Sequence, residues 1–191
     1  MNYLGHLYFS NGDLDLMICN LYGDHVKGTK FQHYSEKIQQ GIILHRSIDS
    51  VIDNHYAVLE LKKLLYPELP KVTGIAIDLY FDHLLAIHWR EFHPQDLSCF
   101  LALFFNYSSI LENEMKDDFR SFLYNLRTLR WIEHYHTAKG LEKLCQGVSK
   151  KISFENSLNI APAIFKKHTS AINKAFHIFM IDARSYFNVS N

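Results

Sequence analysis

The chain has 191 residues, 48% of them hydrophobic and 21% charged, which is enough for one well-buried domain and short for two. Lys plus Arg total 20 and Asp plus Glu total 20, so the formal charge is zero. A protein that grips nucleic acid through its phosphates carries a basic excess, so no nucleic-acid partner is expected. Cys19, Cys99 and Cys145 form no C-x-x-C pair, which argues against a disulfide framework or a thiolate zinc site and fits a reducing cytoplasm.

The opening MNYLGHLYFSNGDLD has neither a basic start nor a continuous apolar run, and the most apolar stretch, residues 100–105, is far too short to span a bilayer. No membrane association is expected. From there onward, apolar residues recur at helical spacing, and turn residues mark the borders. The pattern predicts helices near 13–26, 33–65, 72–91, 95–114, 117–136, 138–151 and 162–187. No alternating strand pattern persists, and no repeat or Gly/Ser-rich linker divides the chain. The expectation is an all-α bundle of about seven helices in a single domain. Phe92, Phe100, Phe104, Phe105, Phe119, Phe122, Tyr124 and Trp131 are read as core.

What interrupts the apolar stripes is more informative. In the second predicted helix, Ile38, Ile42, His45, Asp49, Ile52 and Tyr56 step by four, three, four, three and four, so His45 and Asp49 sit where core residues belong. At 3.6 residues per turn they lie about 40° apart, with Asp53 about 40° further round. The third helix repeats the theme with Ile75, Asp78, Asp82, Leu85 and Trp89, followed by His83 beside Asp82. Burying an ionised carboxylate costs several kcal/mol unless a cation offsets it, so two such helices suggest carboxylates facing each other across a bound metal. His6, Asn20 and Asp24 could complete the cluster, with Lys27 following. Oxygen and imidazole donors without thiolate suit Mn²⁺, Mg²⁺ or Fe²⁺, and Zn²⁺ less well. The blander reading of His45 with Asp49 is a hydrogen-bonded i, i+4 pair, and that of Asp78 with Asp82 is a solvated face or neutralisation by Arg46 or Lys27. His25, His33, His55, His88, His93, His168 and His177 are read as surface or rim residues.

Four segments carry a family likeness: Asn2-x-Leu4-x-His6-Leu7; Asn20-Leu21-Tyr22-Gly23-Asp24-His25-Val26-Lys27-Gly28; Gly41-Ile42 through His45-Arg46-x-Ile48-Asp49 to Asp53; and Asp78 through Asp82-His83-Leu84 to Trp89. In order and spacing they resemble the acyl carrier protein phosphodiesterases, also called acyl carrier protein hydrolases. A weaker echo continues through Trp131-Ile132 to Tyr135 and the helix after Gly140. The resemblance implies a helical fold related to the HD-type metal phosphohydrolases, although no adjacent His-Asp dyad occurs, only Asp24-His25 and Asp82-His83 in reverse order. It implies Mn²⁺-dependent removal of the 4′-phosphopantetheine arm from holo acyl carrier protein. The polar centre it implies comprises His6, Asp24, His45, Asp49, Asp78, Asp82 and His83. On that basis Asp24, His45, Asp49, Asp78 and Asp82 are expected to hold metal, Arg46 and Lys27 to brace the phosphoryl oxygens, and His6 or His83 to protonate the leaving serine oxygen. A basic rim of Lys27, Lys30, Arg46, Lys150 and Lys151 would steer an acidic carrier protein. The alternatives are a related phosphohydrolase acting on a nucleotide or other small phosphodiester, and a non-enzymatic helical scaffold.

Overall fold

The computed structural model describes residues 1–189. Among them are eleven α-helices and no strand: α1 (Tyr3–Phe9), α2 (Leu14–Tyr22), α3 (Glu36–Asn54), α4 (Tyr56–Leu65), α5 (Thr73–Ile87), α6 (Trp89–Phe92), α7 (Leu97–Asn106), α8 (Asp117–Leu129), α9 (Ala138–Ser149), α10 (Ala161–Lys167) and α11 (Thr169–Tyr186). Short 3₁₀ turns follow α2 and α8 at Gly23–His25 and Trp131–His134. The all-α class is as expected. The helix number is larger because the long predicted helices break and because the apolar spacing predicts no helix over Tyr3–Phe9.

The breaks at His55, Arg130 and His168 have identifiable causes. Between α3 and α4, His55 leaves the helical region at φ −70°, ψ 130°, and its ring turns onto α11, with Nε2 3.1 Å from Asp182 Oδ2 and the ring edge-on to Phe179. α8 stops at Arg130, which adopts the left-handed conformation at φ 48°, a frequent way to end a helix. The last predicted helix divides at His168, whose Nε2 lies 2.7 Å from Glu68 Oε1. Helix starts follow ordinary capping chemistry: Asp13 accepts from the Leu16 N–H at the head of α2, and Thr137 accepts from the Gly140 N–H at the head of α9.

Buried apolar side chains form one contiguous core, to which Leu4 and Leu7 of α1, Ile42 and Ile48 of α3, Phe81 of α5, Phe119 of α8 and Phe176 and Phe179 of α11 all contribute. Phe81 meets Phe176 and Phe179 at 5.5 Å between ring centroids. Rings of this size each add about 1.5–3 kcal/mol when buried. Tyr124 departs from its expected place in the core, because it lies on the outer face of α8 and is 69% exposed. α2 and α3 approach closely where Gly41 meets Cys19. A Cβ at position 41 would come within 2.3 Å of Cys19 Cβ and 2.4 Å of its carbonyl carbon, so no side chain fits there. That contact brings His45 of α3 under the amino-terminal helix. No helix among the described residues is long and apolar enough to cross a membrane.

Candidate functional site

The site begins with a buried carboxylate on α5. Asp82 is fully buried and accepts hydrogen bonds from the main-chain N–H groups of Asn2 (3.1 Å), Leu4 (2.7 Å) and Gly5 (3.1 Å). Seven residues are too few for a helix to be stable alone, and the first N–H groups of any helix have no partner within it. Asp82 supplies that partner from across the core. Burial pushes its carboxyl up to about 6, against the opposing pull of the Met1 ammonium and the Leu4 and Gly5 N–H groups. One turn away, Asp78 pairs with the Met1 ammonium at 3.0 Å. Both α5 carboxylates therefore hold the start of α1 in place.

α1 in turn presents His6. Its Nδ1 lies 3.0 Å from Asn20 Oδ1 on α2. Asn20 is fully buried, and its amide nitrogen donates to the His6 carbonyl (2.8 Å) and to Ser10 Oγ (3.1 Å). Those two bonds orient the amide so that its oxygen faces the ring, which places the ring proton on Nδ1. The other nitrogen, Nε2, then points at Asp49 Oδ1 across 3.4 Å. A lone pair opposite a carboxylate needs a proton or a metal cation between them.

His45 converges on the same carboxylate from below, with Nε2 3.3 Å from Asp49 Oδ2. The His6 and His45 rings stack at 4.1 Å, 13° from parallel. Gly23 permits this, since a Cβ there would come within 2.4 Å of His45 Cβ. Burial and the adjacent His6 push His45 down to about 4, outweighing the opposite influence of Asp49 and Asp24, so it is neutral near pH 7. Its Nδ1 is buried without a hydrogen-bond partner. Asp49 is disfavoured as an anion by burial, yet the His6 contact and both imidazoles hold it below the usual carboxylate range. One nitrogen from each histidine and one Asp49 oxygen all lie within 4.8 Å of one another. Two imidazoles and a carboxylate form a donor set that suits a divalent cation.

This trio sits in a cleft of about 620 Å³, whose wall also includes Asp24, Asp53, Asp78, His25, Tyr3 and Lys151. Asp24 is exposed and 3.5 Å from Lys27, while Asp53 is bonded to Lys62 at 2.7 Å.

The other candidate residues lie elsewhere. His83, next to Asp82 on α5, is turned about 100° around the helix. Its Nδ1 lies 2.5 Å from the Tyr135 carbonyl, its ring packs edge-on against Phe165, and it takes no part in the cleft wall. Arg46 folds back onto the segment after α2, donating from Nη2 to the carbonyls of Val26 (3.0 Å) and Gly28 (2.6 Å), with its guanidinium 5.0 Å above the Phe31 ring. Lys27 projects into solvent, its side chain 84% exposed. Asn20, expected as a member of the cluster itself, instead orients His6 from behind. A second trio, His88, Glu91 and His177, ties α6 to α11 away from this cleft.

The acyl carrier protein phosphodiesterase family profile matches residues 1–183. Similar curated proteins carry the same description, "Acyl carrier protein phosphodiesterase". The one from Enterobacter sp. (strain 638) is 27% identical over 180 residues, covering 94% of this chain and 93% of its own. Those from Salmonella dublin and Salmonella paratyphi A are each 26% identical over 180 and 183 residues, with the same coverage. No solved structure matches. With the profile extending from α1 to the end of α11's buried face, the chain belongs to the acyl carrier protein phosphodiesterase family.

Proposed function

We propose that this protein is a metal-dependent phosphodiesterase that hydrolyses the link between 4′-phosphopantetheine and the serine of holo acyl carrier protein, leaving the apo carrier protein. The activity rests on family membership over nearly the whole chain. The metal dependence rests on one observation: Asn20 orients His6 so that two imidazole nitrogens and Asp49 share one point in an open cleft.

In this reading His6, His45 and Asp49 hold the cation, with Asp24 and Asp78 on the surrounding wall. Mn²⁺ is the proposed ion, since mixed imidazole and carboxylate donors without thiolate suit it, with Fe²⁺ and Mg²⁺ as alternatives. A divalent cation there supplies Lewis acidity toward an anionic phosphodiester and toward water near neutral pH. The chain's own groups do the remainder. Asn20 holds the His6 tautomer, as a hydrogen-bonded neighbour of a ligating histidine commonly does. Lys151 adds positive charge at the cleft edge, where an anionic substrate arrives. His25, whose Nδ1 lies 3.5 Å from Asp118, is another imidazole on the cleft wall and is assigned the proton delivered to the departing serine oxygen. His83, bonded on the far side of α5, is not assigned that part. With Cys19 and Cys145 buried as thiols and Cys99 also free, a reducing cytoplasm is the proposed location.

The test uses purified protein stripped with EDTA and reloaded with Mn²⁺. Intact-mass spectrometry of holo carrier protein should show conversion to the apo form, dependent on the added metal. Full turnover in excess EDTA would remove the cation from the mechanism. An unchanged holo mass with Mn²⁺ present would remove the substrate assignment.

A further inference from the structure

Beside the metal-type cleft runs a second depression of about 380 Å³, between α9 and the turn after α8. The two share Tyr3, Val148 and Lys151 as walls, so they meet along that line. Beyond the junction the groove is apolar in character, lined by Leu129, Trp131 and Leu144. Leu129 is 65% exposed, and an apolar strip beside a charged cleft is a frequent mark of ligand contact. The volume lies within the span of about 300–1,000 Å³ typical of small-molecule sites. No carboxylate lines the groove, and its charged side chains are Lys151 at the junction and Lys143.

That distribution matches one occupant. Followed back along α9 from the junction, the wall passes from Lys151 through Val148 and Leu144 to Lys143, and His134 lies against Gly140 at the start of the helix. The 4′-phosphopantetheine arm has a phosphate at one end, then a gem-dimethyl carbon and a secondary hydroxyl, and two neutral amides leading to a thiol. We infer that this groove is the arm-binding subsite: the phosphate lies at the cleft beside Lys151, and the uncharged arm runs along α9 toward Lys143. The inference rests on the proposed hydrolysis of holo carrier protein and adds where the non-reacting part of the substrate is held. Binding energy from such a remote segment positions the phosphodiester for reaction.

Gly147 makes the assignment testable. It lies on α9 in the groove wall, and a Cβ there would meet nothing within 4 Å. Open space surrounds a side chain added at this point of the groove wall, so it displaces no core neighbour, and replacing glycine within a helix favours folding. The series Gly147→Ala, Gly147→Leu and Gly147→Trp fills the groove in steps. Two readouts apply, with circular dichroism and Tm confirming the fold of each variant. The first is Trp fluorescence titrated with D-pantetheine, which involves no turnover. The second is kcat/KM for holo carrier protein divided by kcat/KM for bis(p-nitrophenyl) phosphate, a diester without the arm. The expected result is saturable pantetheine binding to the native protein, weakened at least tenfold by Leu and more by Trp, with the kinetic ratio falling in the same order. No pantetheine binding, or binding and ratio unaltered by Trp, overturns the groove assignment. A native protein that binds pantetheine in this Gly147-dependent way yet leaves holo carrier protein intact overturns the hydrolytic reading and leaves the groove in place.

Discussion

α3 and α5 carry polar residues at the same four-residue spacing on otherwise apolar stripes, yet the fold uses them oppositely. On α5, Asp78 and Asp82 turn toward the amino terminus, where they find an ammonium and three unpaired main-chain N–H groups. On α3, His45 and Asp49 face a cleft, and their nearest partner is another imidazole. Both arrangements relieve the cost of a carboxylate out of water. Only the second leaves nitrogen and oxygen lone pairs pointing at a shared, solvent-reachable point. A carboxylate satisfied by backbone N–H groups serves architecture, whereas one flanked by imidazole rings is open to a cation.

The contrast is broken most forcefully on α3. Asp49→Ala should lower the rate of arm removal by at least a hundredfold, about 3 kcal/mol of transition-state stabilisation, while shifting Tm little, because Asp49 is half-exposed at the cleft. Intact-mass kinetics and a thermal scan on one sample check both halves. Asp82→Ala should do the reverse. Three helix-start N–H groups lose their acceptor, which costs about 3–5 kcal/mol, read by urea denaturation, and activity measured at low temperature falls only as far as α1 drifts. If Asp82→Ala unfolds no more readily than Asp49→Ala, the division of labour is wrong.

pH sharpens the comparison in the metal-free protein. His45 is depressed to about 4 from an ordinary value of about 6.5. The unfolded chain takes up that proton first, so the His45 contribution is complete above about 6.5 and is lost as pH falls toward about 4. Asp82, raised to about 6, has the opposite sign: the folded state holds its proton longer, so its contribution declines as pH rises from about 4 to about 6. The two slopes oppose each other. His45→Asn should therefore make stability less sensitive to acid than in the native protein, and Asp82→Asn should make it more sensitive, each by up to about 3 kcal/mol. Urea midpoints at pH 4, 5, 6 and 7 decide the matter, and identical pH slopes for both variants would refute it.

Asn20→Ala gives the smallest expected effect. It removes the acceptor that holds the His6 proton on Nδ1 and should weaken Mn²⁺ binding by about 10–100-fold without touching a proposed ligand. Isothermal titration of the stripped protein measures this, and an unchanged affinity would mean that His6 orientation does not depend on the amide.

Much of the helical architecture was legible from spacing alone, because i and i+4 share a face in any α-helix, and His45 and Asp49 do so here. What escaped has physical reasons. α1 is buried at every position from Leu4 to Phe9, so it has no polar face and no period to detect. The break at His55 carries no glycine or proline, and its cause is a contact with α11 some 127 residues away in the chain. Asp82 could not be matched to its partners because they are main-chain N–H groups, which every residue but proline has. Arg46 likewise binds carbonyls of the segment after α2, a role that side-chain identity does not announce.

Gly23 offers an experimental handle of another kind. Its missing methyl is what allows the two stacked rings to close up, so adding one carbon there inserts a spacer and leaves every donor atom chemically intact. Ligand replacement changes composition and distance together, whereas alanine at this single position alters distance alone. A graded set of spacers could then calibrate how tightly the pair must be clamped before an ion is retained.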